Sequence, residues 1–174
     1  VIVYNGELLN FIELKSEIGS RYDFKTQTDT EVVLAAFKIW GKACLDKFIG
    51  MYSFAIWDRK RKKLFAARDR FGIKPFFFCL DKSTFYFASE IKALFRAKIK
   101  KECNYKVVFQ YLAQGLYDHS DETFYLNIKN LQPGHYLEYE KNTLTINSYW
   151  DLSSFEGNDE PDESKVLNRI EELL

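Results

Sequence analysis

Two short stretches carry side chains suited to chemistry. In "VIVYNGELLN" (1–10), Asn5 offers an amide donor and Gly6 a backbone N–H that no side chain shields. Two such donors aimed at one point stabilise an oxyanion. The same pair also suits an ordinary turn, in which Gly takes a positive φ and Asn satisfies backbone groups. In "TDTE" (28–31), Asp29 stands where a helix begins. Its carboxylate can offset the helix dipole, or it can hold the ammonium group of a ligand. Weighed on the residues alone, the structural roles are favoured and the chemical ones stay open.

Other candidates are weaker. Cys44 sits in a helical pattern beside Leu45 and Phe48, Cys79 in a Phe-rich strand pattern, and Cys103 in a basic stretch. Lysines near Cys103 can lower a thiol pKa, but two core cysteines and one incidental surface cysteine is the favoured reading. His119 and His135 lie in separate segments, and the cysteines show no ligand spacing, so a metal site has little support. Phe71-Gly72-Ile73-Lys74 lacks the spacing of a phosphate loop.

The elements that must position these residues follow from periodicity. Val1 to Val3 read as a buried strand, while Leu8, Phe11, Ile12, Leu14 and Ile18 fall near helical spacing. Asn5-Gly6 is therefore expected in a strand-to-helix connection, with Asn10 and Glu13 as a capping-box-like pair. Residues 28–31 cap a second helix whose stripe is Val32, Val33, Ala36, Phe37 and Trp40, ended by Gly41. Strands are expected over 50–58, 63–70, 74–80 and 84–89, helices over 90–97 and 105–115, and a final hairpin over 135–150 turning near Lys141-Asn142. The expectation is four or five helices and seven or more strands, mostly joined by tight turns: an α+β domain of antiparallel sheets covered by helices.

Composition narrows the class. Lys+Arg and Asp+Glu balance at 25 each, so no excess cation exists for nucleic acid or an anionic membrane. No apolar run reaches bilayer length and no signal peptide is visible. Three cysteines, an odd number, suit a reducing cytoplasm better than a disulfide scaffold. The segment 153–165, "SSFEGNDEPDESK", reads as an acidic linker and domain boundary. A strand pattern already under way at Val1, and a helix beginning over 166–174, lead us to expect a fragment of a longer protein.

Taken in order, "YNGELLNFIEL", "TQTDTEVVLAAFKIWG", "GMYSFAIWD", "FAARDRFGIKPFFF", "FASEIKAL" and "ETFYLNIKNLQPGHYLEYE" before "YWD" closely resemble the glutaminase domain of the asparagine synthetase (glutamine-hydrolysing) family. The resemblance covers roughly 1–152. It implies a class II glutamine amidotransferase with the N-terminal-nucleophile hydrolase fold, a four-layer αββα sandwich. In that family a cysteine at residue one attacks the glutamine side-chain amide, with its own α-amino group as base. A second domain uses ATP and magnesium to activate aspartate, which captures the ammonia. No cofactor is expected in the present domain.

The resemblance makes Asn5 and Gly6 the oxyanion hole, Glu7 a contact for the α-amino end of glutamine, and Asp29 the carboxylate that holds the α-ammonium group. Asp69, Arg70, Gly72 and Pro75 match a motif read as structural. The family's cysteine and a carboxylate-gripping arginine belong upstream of Val1, and its Ser-Gly-Gly ATP loop belongs past Leu174. On that reading the chain by itself hydrolyses no glutamine. Its expected partners are glutamine and a synthetase domain of the same polypeptide; a homodimer is compatible, nucleic acid and membrane are not expected. The competing readings are a relative with another acceptor, such as a surface-polysaccharide or β-lactam synthetase-like enzyme, and a non-catalytic domain of the same fold.

Overall fold

Alternation along the strands decides which layer each side chain enters. The computed structural model describes residues 1–155 and 163–173. Five strands form one antiparallel sheet in the order β1-β2-β3-β7-β8: β1 (Ile2–Leu8), β2 (Gly50–Asp58), β3 (Lys63–Arg68), β7 (His135–Glu140) and β8 (Thr143–Ser148). Three more, β4 (Phe77–Asp81), β5 (Thr84–Ala88) and β6 (Lys129–Asn130), form a second in the order β5-β4-β6. On one face of the larger sheet, Tyr52, Phe54, Ile56, Phe65 and Tyr136 join Leu14, Ile18, Val32, Val33 and Ala36. The last five come from helices α1 (Phe11–Ile18) and α2 (Asp29–Trp40).

The intervening residues face the other way. Ala55, Leu64, Ala66 and Leu137 meet Phe76, Phe78, Leu131, Phe85 and Phe87 between the sheets. The outer face of the smaller sheet, Phe77, Cys79, Tyr86 and Ala88, is covered by Ile91, Leu94 and Phe95 of α4 (Ile91–Arg96) together with Ile99 and Ile128. Helix, sheet, sheet and helix therefore stack in four layers, as expected. A short α3 (Cys44–Lys47), α5 (Tyr105–Gln114) and α6 (Glu163–Leu173) complete the described α-helices.

Most expected boundaries hold within a residue or two. The Lys141-Asn142 turn has positive φ at both residues, 50° and 65°, which is what a two-residue hairpin with this twist requires. Other expectations change. Val1 and Val3, expected in a buried strand, are 59% and 58% exposed at the start of an edge strand, and six α-helices are described where four or five were expected. β1 does not stop before Asn5: it pairs with β2 from Ile2 through Leu8, so Asn5-Gly6 lies inside a strand, not at a corner. Asn10 makes no cap bond; its side chain instead bonds Lys47 O at 2.9 Å and Ile49 N at 3.0 Å, clasping the approach to β2. Residues 74–76 are not strand: side chains take the backbone groups of Lys74 and the Pro75 carbonyl, and Pro75 has no N–H. Of the expected acidic linker, 156–162 lie outside the described residues.

Candidate functional site

Gly6 is required by packing rather than by a turn. A Cβ there would lie 2.4 Å from Met51 O and 2.7 Å from Tyr52 Cα, so β1 approaches β2 too closely for any other residue. Its φ is not positive, which removes the turn explanation.

The ladder fixes where the Gly6 N–H points. Val1 N and O both bond Trp57, and Leu9 N bonds Ile49 O, so odd-numbered residues of β1 direct their backbone groups at β2. Even-numbered residues then direct theirs off the outer edge. β1 is an edge strand, so the Gly6 N–H faces outward. Two residues further along that edge, the Leu8 N–H donates to Asp29 Oδ2 at 3.1 Å.

Asp29 reaches this edge because α2 starts beside it. Thr28 caps the helix by accepting from Glu31 N, and Glu31 reaches back to Lys25 N at 2.9 Å and Thr26 N at 2.6 Å. The reaching carboxylate is thus Glu31, which leaves Asp29 free to turn toward β1. Tyr4 also donates to Asp29 Oδ2, at 3.0 Å. Burial, then the Asp29 bond and charge, push the Tyr4 phenol pKa well up, so it stays a donor across the physiological range. With Oδ2 taken twice, Oδ1 is left with one long contact, 3.4 Å from Thr30 Oγ1. Tyr4→Phe is expected to lower unfolding free energy by about 1–2 kcal/mol; an unmoved denaturation midpoint would mean that Leu8 alone holds Asp29.

Asn5 uses the opposite direction. Its side chain lies on the inter-sheet face and donates from Nδ2 to Ser89 Oγ at 3.1 Å. Glu7, next on that face, is exposed at the end of the strand. The structure therefore brings Asn5, Gly6, Glu7 and Asp29 to one end of one edge strand.

The cysteines lie elsewhere. Cys44 is buried among the helices on the far side of the larger sheet, and burial raises its thiol pKa. Cys79 faces the outer layer of the smaller sheet, where burial and then Asp81 raise its pKa. Cys103 is exposed and bridges Tyr125 in that same outer layer.

The 69–75 segment is a structural clasp. Asp69, 1% exposed, accepts from Tyr52 N, Phe71 N, Ile73 N and Lys74 N at 2.9–3.2 Å. Buried Arg68 donates to Lys74 O, Gly72 O, Leu131 O and Asn130 Oδ1, while desolvation lowers its pKa against the pull of Asp118 and Asp69. The sequence marks Arg68 only as a charge inside a strand pattern. Tyr4 and Ser89 carry no local mark, because their partners are distant in sequence.

A family model described as a glutamine amidotransferase domain matches residues 1–150. The chain belongs to that family. "Asparagine synthetase [glutamine-hydrolyzing] 3" of Bacillus subtilis is 38% identical over 94% of this chain and 27% of its own length. "Asparagine synthetase [glutamine-hydrolyzing] 2" of the same organism is 40% identical over 87% of this chain and 21% of its own. "Amidase chry2" of Gibberella zeae is 30% identical over 86% and 22%. The chain thus spans about a quarter of the length of these relatives. Among solved structures, the glutamine phosphoribosylpyrophosphate amidotransferase of B. subtilis superposes with a TM-score of 0.59 at 21% identity, over 86% of this chain and 29% of that one. That likeness bears on the fold, the N-terminal-nucleophile hydrolase sandwich. Among the described residues, no helix of this amidotransferase domain is long and apolar enough to cross a membrane.

Proposed function

We propose that this chain is the glutaminase part of a longer glutamine-dependent ligase of the asparagine synthetase type. The full enzyme hydrolyses glutamine and passes the ammonia to an ATP-activated aspartate. One observation carries the glutamine reading: the Gly6 N–H and the Asp29 carboxylate share the outer edge of β1 at a spacing of two residues. Two residues of strand span roughly 6.6 Å. Standard bond lengths put about 5–6 Å between the side-chain carbonyl and the α-amino group of an extended glutamine.

The roles follow. A thiolate adds to the side-chain carbonyl carbon, the C=O electron pair moves to oxygen, and the new oxyanion is met by the Gly6 N–H and the second hydrogen of Asn5 Nδ2. Asp29 Oδ1 accepts from the α-ammonium group, and exposed Glu7 lies beside the same end of the ligand. Cys44, Cys79 and Cys103 all face layers away from Asn5. The thiol is therefore assigned to the N-terminal cysteine that the family resemblance implies, outside this chain.

ATP and magnesium are assigned to the acceptor-activating part of the longer enzyme. The Phe71-Gly72-Ile73-Lys74 turn does not fit a phosphate: the N–H groups of Phe71, Ile73 and Lys74 are held by Asp69 and that of Gly72 by Asp69 O. The acidic 153–165 segment, whose last three residues open α6, is assigned as the connection to that part, with α6 as its first helix. A cytoplasmic enzyme suits the three free thiols. A second reading keeps the glutaminase and changes the acceptor, and the amidase relative favours including it.

Asp29→Ala in the full-length enzyme tests the proposal. The KM for glutamine is expected to rise about 10- to 100-fold, the worth of a hydrogen bond to a charged group, while synthesis from free ammonia persists. Equal loss of both activities would make Asp29 a structural cap. Asp29→Asn, which keeps an acceptor for Leu8 and loses the charge, is expected to reproduce the KM effect.

A further inference from the structure

The Asn5–Ser89 bond joins residues 84 apart in sequence, one on the edge of the larger sheet and one just past β5 of the smaller. A carboxamide has two orientations related by a half-turn about χ2, close in energy when nothing selects between them. For an oxyanion they are opposites, because one presents a donor and the other an acceptor.

The surroundings of Asn5 offer one side-chain anchor, the Ser89 hydroxyl. Ser53, its partner across the ladder, already donates its hydroxyl to Pro75 O at 3.0 Å. Val3, on the same face, has no polar atom to offer. Ser89 Oγ is held on a firm corner: β5 pairs along its length with β4, and α4 begins at Ile91, whose side chain and that of Leu94 pack in the outer core.

We infer that Ser89 is a positioning residue for glutamine hydrolysis: its hydroxyl oxygen accepts one Asn5 Nδ2 hydrogen and holds the carboxamide about χ2, with the second hydrogen presented to the oxyanion. This rests on Asn5 being an oxyanion donor. Ser89 touches no substrate and acts only through Asn5.

The test is a double-mutant cycle in the full-length enzyme with Asn5→Ala, Ser89→Ala and the pair, reading kcat and KM for glutamine separately. Ser89→Ala is expected to lower kcat about 10-fold, the bias one ordinary hydrogen bond exerts, with KM changed less than 2-fold. Ser89→Thr, which keeps the hydroxyl, is expected to restore most of that loss. In the Asn5→Ala background, Ser89→Ala is expected to do nothing more. Additive losses, or a Ser89→Ala effect confined to KM or to melting temperature, overturn the inference while leaving the role of Asn5 intact. An unchanged kcat in Asn5→Ala overturns both.

Discussion

Asn5→Ala in the full-length enzyme is expected to lower kcat for glutamine hydrolysis by about 10²- to 10³-fold, with KM for glutamine changed little. On the proposed role, the magnitude is that of one donor removed from an oxyanion hole. It falls on kcat because the ground-state carbonyl oxygen is nearly neutral, and the donor matters most once that oxygen carries charge. Structure protects this test from a trivial failure. Asn5 is half-buried on an edge strand, its backbone pairing with Ser53 survives the substitution, and Ser89 is the side-chain partner it loses. Synthesis from free ammonia, which the proposed function gives the longer enzyme, is the internal control, since it bypasses the oxyanion. A glutaminase rate within a few-fold of the parent would remove Asn5 from the chemistry, and Gly6 would then stand alone on its edge.

The layers of this fold are legible in the sequence, and the path of β1 is not. Strict alternation in Phe54-Ala55-Ile56 and Leu64-Phe65-Ala66-Ala67 sends neighbouring residues to opposite cores, so strands buried on both faces announce themselves. The stripe of Val32, Val33 and Ala36 does the same for α2. Asn-Gly misleads because its usual meaning is a turn, whereas here Gly is needed for a close approach by Met51 and Tyr52, more than 40 positions away. Asn10 misleads for a related reason: a good capping side chain is recruited by Lys47 and Ile49 instead. Of the candidate site, Asn5, Gly6, Glu7 and Asp29 were named by the resemblance, and the fold brings them to one strand end. The groups that aim them, Tyr4 and Ser89, left no local trace, since a hydroxyl is defined by its partner and those partners lie 25 and 84 positions away.

The largest expected loss of stability comes from a residue outside the chemistry. Asp69→Ala is expected to cost about 3–5 kcal/mol, a large share of the 5–15 kcal/mol that holds a typical domain together. The carboxylate is 1% exposed and gathers four backbone N–H groups, from Tyr52 on β2 and from Phe71, Ile73 and Lys74 in the turn after β3. Alanine removes every acceptor at once, and an unpaired donor away from water costs about 1–3 kcal/mol. The donors do not add fully, because the turn can relax toward solvent. Asp69→Asn separates charge from shape: it keeps one oxygen but brings an NH₂ against donors, so it is expected to fall between the parent and Asp69→Ala. For a domain of this size each kcal/mol moves the melting midpoint by about 2–4 °C, so Asp69→Ala is expected to melt about 10 °C lower. Because the same turn carries Pro75, whose carbonyl accepts from Ser53 beside Asn5, glutaminase activity is expected to fall at temperatures where the fold still stands. A midpoint within 2 °C of the parent would mean that water takes over all four donors, and the motif would then need a role other than holding this turn.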